Sequence, residues 1–177
     1  MVIYGIAGRP NARLGCGKST VLTWLALSYK AKFNQNLAGN YHIKVANFKY
    51  LENPHDIIGL FNTFIALDDI YRYLGFSNSN AKKLGRLLAG EVRHHNNNLA
   101  IVSSRLKEYI PKSLRDHVDY WIFPQFDQRS GWIMLDVLNA EGERVTGGLP
   151  RALNPAIVKK TWSFYNHRED IKVTEFF

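Results

Sequence analysis

Cysteine is almost missing from this sequence: Cys16 stands alone among 177 residues. That excludes an internal disulfide framework and any all-cysteine metal site. Acidic residues are scarce as well, 15 against 23 Lys and Arg, which leaves a formal net charge of +8. Such a balance suits a polyanionic partner, and equally a surface that is basic only for solubility. No apolar run approaches bilayer-spanning length, and the start of the chain lacks the basic stretch and cleavage site of a signal peptide. The expected compartment is therefore the cytosol. Internal repeats and low-complexity segments are also missing. What is present is a hydrophobic fraction of 46% and an aromatic fraction of 13%, enough for a well-buried core and an expected single domain over residues 1–177.

The most informative stretch is Ala12-Arg13-Leu14-Gly15-Cys16-Gly17-Lys18-Ser19-Thr20. It has the spacing of a phosphate-binding loop of the Walker A type, with Ala12 in place of the usual first glycine. An apolar run, Val2–Gly8, precedes it, and an apolar helical pattern, Val21–Leu27, follows it. In a strand–loop–helix unit the loop amides would cradle phosphate oxygens, helped by the positive end of the helix dipole. Lys18 would reach the β- and γ-phosphates, and the Ser19 hydroxyl would bind magnesium. Gly15 and Gly17 permit close backbone approach. Arg9-Pro10-Asn11 lengthens the gap between strand and loop. Cys16, inside the loop, reads as incidental rather than redox-active.

Further along, the pattern predicts a helix to about Phe33, a polar turn over Asn34–Asn40 and a strand over His42–Phe48. Asn53-Pro54 marks a helix start, with that helix ending near Phe61. Thr63–Leu67 is an apolar strand, Ser77–Asn80 caps a helix from Ala81 to His95, and Leu99–Ser104 and Tyr120–Phe123 are further strands. Trp132–Leu138 and Gly142–Val145 flank a turn at Asn139–Gly142 and read as a β-hairpin. Strands alternating with helices imply an α/β fold: a doubly wound, mainly parallel sheet covered on both faces, here with a C-terminal hairpin. The tail from Asn154 carries no clear pattern.

The Thr63–Leu67 strand runs into Asp68-Asp69, the arrangement of a Walker B strand. Parallel strands bring their C-terminal ends to one edge, so Asp68 would hold magnesium beside the loop. Asp69 occupies the place where many such ATPases carry a glutamate that polarises the attacking water. In the RecA-like branch an extra strand lies between these two, and Leu99–Ser104 is the candidate. Ser103 or Ser104 at its tip would then sense the γ-phosphate, Ser104 being better placed. On the Ala81–His95 helix, Leu84, Leu87 and Leu88 share one face while Lys82, Arg86 and Arg93 share the opposite one. That stripe is a solvated face, a contact to DNA phosphates, or the source of an arginine finger reaching a neighbouring subunit. Arg105 and Arg115 are further candidates for the finger. His94-His95 lacks metal-ligand spacing.

The order of these features resembles the compact P-loop ATPases of the FtsK–HerA type, above all the small genome-packaging ATPases of membrane-containing and archaeal viruses. It is similar also to the Zot-type assembly ATPases of filamentous phages. The residues carrying the resemblance are Ala12–Thr20, Val45–Phe48, Phe64–Asp69, Arg93-His94-His95, Ile101–Arg105 with Ser113-Leu114-Arg115, and Ser163–Asn166. The resemblance implies ATP as nucleotide, Mg2+ as cofactor, a hexameric ring and double-stranded DNA threaded through a basic channel. A capsid or portal-vertex protein is then a further partner, and the host cytoplasm or the packaging vertex the location. Many relatives carry glutamate at the position of Asp69 and a glutamine near Ser103–Arg105, where this chain does not. Zot-type proteins continue into a membrane segment that this sequence lacks. The expectation is thus an ATPase that packages or translocates viral double-stranded DNA. The alternatives are a Zot-type assembly or extrusion ATPase, a small-molecule P-loop kinase, and a non-catalytic nucleotide-binding module. A kinase lid with several phosphate-binding arginines is not evident after Ser104.

Overall fold

The structure is a computed structural model, and it describes residues 1–10, 15–75, 78–88, 90 and 94–166, without the side chains of residues 104 and 105. Its frame is an eight-stranded sheet. The strands are β1 (Ile3–Gly8), β2 (Asn36–Gly39), β3 (Lys49–Tyr50), β4 (Thr63–Leu67), β5 (Asn98–Leu106), β6 (Tyr120–Phe126), β7 (Ile133–Asn139) and β8 (Ala152–Leu153). The helices are α1 (Lys18–Phe33), α2 (Ile70–Tyr73), α3 (Asn78–Leu87), α4 (Lys112–Arg115) and α5 (Pro155–Trp162). Strand order is β3-β2-β4-β5-β1-β6-β7-β8. The six strands from β3 to β6 are parallel, and β7 and β8 add antiparallel.

Burial on both sides explains why the central strands read as continuous apolar runs rather than as alternating patterns. Every residue of β1 and β4 is buried. Successive side chains nonetheless serve different cores. Phe64 and Ala66 pack with Leu22 and Leu25 of α1, whereas Ile65 and Leu67 pack with Leu84 and Leu114 on the other face. Helix α1 ends at Asn34, which takes the left-handed conformation at φ 51° that asparagine tolerates as a helix cap.

Four local expectations are corrected. The Asn34–Asn40 stretch forms β2 rather than a turn, because its backbone pairs with β4 and polar composition does not oppose a parallel ladder at Leu37, Ala38 and Gly39. His42–Phe48 is no strand. Asn47 adopts a left-handed backbone at φ 60°, and Ile43 makes only a single antiparallel bridge to Tyr165. The helix expected after Asn53 is one 3-10 turn, Pro54–Ile57, closed by a capping box between Asn53 and Asp56. The chain then turns through Gly59 and Asn62, both at positive φ. The turn at Asn139–Gly142 forms, but its return arm pairs through one bridge, Leu138 with Arg144. The antiparallel hairpin is instead β6 with β7, extended by β8.

Two further elements differ in extent. Helix α3 begins at Asn78 rather than Ala81, with Ala81 and Leu84 buried and Lys82 and Arg86 exposed. Arg93 lies outside the described residues. The unassigned tail contains α5, which starts where Asn154 accepts a hydrogen bond from the Ile157 amide at 2.9 Å and Pro155 takes the first helical position.

Strand β2 needs a glycine where it meets β4. A Cβ on Gly39 would stand 2.5 Å from the Ala66 carbonyl oxygen, a backbone atom that cannot step aside. The Gly39→Ala variant is therefore expected to lose about 1–3 kcal/mol of stability. Urea unfolding measures it; a midpoint equal to that of the parent would show that β2 does not lie this close to β4.

Candidate nucleotide site

The sheet delivers the loop and the carboxylates to one edge. β1 ends at Gly8 and β4 at Leu67, and both pair in parallel with β5, which lies between them. The loop glycines have the backbone that the motif requires: Gly15 lies at φ 89° and Gly17 at φ 93°. Gly17 caps α1, with its carbonyl accepting from the Val21 amide at 3.0 Å. A side chain there would also run into Ile133, 2.8 Å away. Lys18 and Ser19 thus open the first turn of α1, where the amides and the helix dipole favour an anion. The Lys18 ammonium lies 3.7 Å from the Cys16 sulfur. Ala12, Arg13 and Leu14 lie outside the described residues.

Asp68 stands across from Ser19. Burial pushes its carboxyl above the ordinary value of 3.8, while hydrogen bonding with the Ser19 side chain and the Asp69 amide, and the charge of Lys18, pull the other way. The Asp69 amide donates to the Asp68 carboxylate at 2.9 Å. Asp69 itself adopts a left-handed backbone at φ 39°, ψ 60°, an unusual conformation for a residue with a side chain. Its carboxyl is likewise raised by burial, against the opposing pull of Arg72 and Lys18. Two hard oxygen donors, one of them a carboxylate whose ionisation is held back by burial, form a set that suits magnesium. A cation there would offset the cost of the buried charge.

Asn40 escaped the sequence reading, which assigned it to a turn. Its side chain holds the tip of β4 from both sides. Its Nδ2 donates to the Asp68 carbonyl at 2.7 Å, and its Oδ1 accepts from the Asp68 amide at 2.8 Å. This is one residue's backbone fully paired to one side chain, and it sets where the carboxylate begins.

The C-terminal elements were missed as well. Gly15 through Thr20 share a cavity of about 400 Å³ with Phe126, Ile133, Trp162 and Tyr165. Phe126 and Trp162 meet edge to face at 6.0 Å between ring centres. The Thr20 hydroxyl is bound twice, by the Tyr165 hydroxyl at 2.8 Å and by the Trp162 indole N–H at 3.0 Å. Nothing in the spacing of Trp162 and Tyr165 signals this, because the contact joins residues more than 140 positions apart.

The remaining candidates lie on β5 and α4. Ser104 and Arg105 are on β5, beside β1. Ser103 is fully buried, and its hydroxyl donates to the Leu106 carbonyl at 2.5 Å, which ties it to the strand end. Arg115 lines a separate cavity that shares no residue with the glycine loop. No cluster of three or more potential metal ligands from His, Cys, Asp and Glu occurs among the described residues. No helix among them is long and apolar enough to cross a membrane.

A strand, a glycine loop opening α1, and a carboxylate at the tip of the next-but-one strand define an α/β fold consistent with the P-loop nucleoside triphosphatases. No protein-family model matches the sequence, and no curated protein does. Among solved structures the chain is similar to the N-terminal domain of zonular occludens toxin from Neisseria meningitidis. The TM-score is 0.57 at 14% identity, over 93% of this chain and 98% of that one. At that identity the likeness is one of fold.

Because the folded state holds more protons on Asp68 than the unfolded state does, folding is opposed as pH rises through and beyond 3.8, and the penalty is complete above the raised folded value. Without nucleotide, Asp68→Asn is therefore expected to melt higher than the parent at pH 7. The gain should shrink as pH falls toward 4. Thermal melts across that range check it, and a variant less stable at pH 7 would mean that the carboxylate is not held against its hydration.

Proposed function

We propose that this chain binds ATP with magnesium at the glycine loop and hydrolyses it, as an ATPase of viral DNA handling close to the Zot-type assembly kind. The carrying observation is the meeting of Lys18 and Ser19, on the first turn of α1, with Asp68 at the tip of β4. In this reading the loop amides and Lys18 bind the β- and γ-phosphates. Ser19 and Asp68 would hold magnesium, which would supply positive charge against that growing on the phosphates. Asp69 takes the proton of the attacking water; burial raises its proton affinity in the direction a base needs. The nucleobase lies against Phe126 and Trp162, which wall the same cavity.

Double-stranded DNA is the proposed polymer. The net charge of +8 and the exposed Lys82 and Arg86 on α3 favour it. They are also what supports the second reading, a packaging motor that moves duplex DNA. In either reading the 177 residues form one ATPase domain, and subunits assemble as a hexameric ring. An arginine from Arg86, Arg93, Arg105 or Arg115 of one subunit would then complete the neighbour's site. The host cytoplasm and the packaging vertex remain the proposed location, with a capsid or portal protein as docking partner.

Replacing Lys18 with alanine is expected to lower ATP hydrolysis by about a hundredfold or more, the scale of losing one main stabiliser of transition-state charge. Duplex DNA is expected to stimulate the parent. Phosphate release with and without DNA measures both. Unchanged turnover in the variant would overturn the site. Hydrolysis indifferent to DNA, with phosphate passed to a small acceptor, would overturn the motor in favour of a kinase.

A further inference from the structure

On the face of the sheet opposite α1, beside the start of β6, lies a second cavity of about 320 Å³. Its lining is Lys107, Lys112, Arg115, Asp116, Val118, Trp121 and Ala140. Val118 and Trp121 belong to the core cluster on that face, whereas Ile133 of the glycine-loop cavity belongs to the other cluster. Three cations therefore converge on a space that holds one carboxylate. Neither recorded ion pair among the described residues involves any of the three. The Lys107 ammonium rests over the Trp121 ring at 5.2 Å.

Arg115 makes the case sharper. Its Nε–H is buried and has no hydrogen-bond partner. Buried polar groups are almost always paired, so an orphaned guanidinium donor in a cationic cavity points to an acceptor that completes it. An arginine fork presents a planar donor set that matches the oxygens of a phosphate, and lysines add point charge around it. Asp116 opposes an anion, but alone against three cations it does not reverse the field. The volume lies at the small end of the range for ligand pockets, about 300–1,000 Å³.

The geometry points to a phosphate-binding site at Lys107, Lys112 and Arg115, separate from the glycine loop and on the opposite face of the sheet. The ligand is a phosphate group, from either a nucleic-acid backbone or a soluble phosphate ester. The site does not depend on the ATPase reading.

The test uses the full chain carrying Lys18→Ala, so that binding at the glycine loop does not mask the second site. Inorganic pyrophosphate without metal is titrated by calorimetry, while NMR follows the Arg115 Nε–H. Saturable binding that shifts this resonance is expected. Adding Arg115→Gln should weaken binding roughly tenfold or more, the cost of a charged hydrogen bond. Lys112→Gln, at an exposed position that folding does not need, should weaken it as well. Melting temperatures of both variants confirm that they fold. Displacement of pyrophosphate by a short DNA duplex would assign the backbone as the source. Displacement by a mononucleotide alone would assign a soluble ester, and either result supports the site. Pyrophosphate affinity unchanged by both substitutions, or displacement by neither competitor, would overturn it.

Discussion

At the tip of β4 a fully buried strand gives way to two carboxylates, and the rest of the site depends on how that transition is held. Thr63–Leu67 is buried along its whole length, between β2 and β5 and between two cores. The chain cannot pivot there without breaking ladders on both sides. Asn40 then takes both backbone groups of Asp68, so the first polar residue after the strand starts from a fixed position. From it the side chain faces Ser19, and Asp69 is bent into a left-handed turn. The cost is electrostatic: both carboxyls are pushed toward their neutral forms by burial. A cation there would offset that cost.

The second constraint acts from the far end of the chain. Tyr165 and Trp162 both bind the Thr20 hydroxyl, so the first turn of α1 is fastened to the segment after β8. Ile133 of β7 occupies the space that a side chain at Gly17 would need. The antiparallel strands and α5 therefore form one wall of the loop cavity rather than an appendage. A change in the loop on binding phosphate would be felt there first, because Thr20 cannot move without breaking both bonds.

Much of this was legible in the residues. The glycine loop declares itself through Gly15 and Gly17, whose positive φ values only glycine adopts freely. β4 and β5 declare themselves through apolar runs, and β5 lies between β4 and β1 as the strand pattern suggested. What could not be read is long-range. β2 looked like a turn because Asn36, Gly39 and Asn40 are turn formers locally, and only pairing with β4 overrides that. Asn40 as a clasp, Tyr165 as a partner of Thr20 and the cationic cavity around Arg115 all join distant segments, and hydrophobic periodicity carries no trace of such polar contacts. His42–Phe48 failed in the opposite direction: its apolar spacing is fair, but Asn47 reverses the backbone.

Whether Ser19 and Asp68 form a metal cradle for a nucleotide is measured most directly with Mn2+ in place of Mg2+. Electron paramagnetic resonance counts free Mn2+ as ATP is added to the chain. The parent should form a ternary complex with ATP and Mn2+. In Ser19→Ala and Asp68→Asn the metal affinity of that complex should fall by roughly tenfold or more, while the folds persist. Equal Mn2+ binding by all three chains, or no ternary complex with the parent, would contradict it.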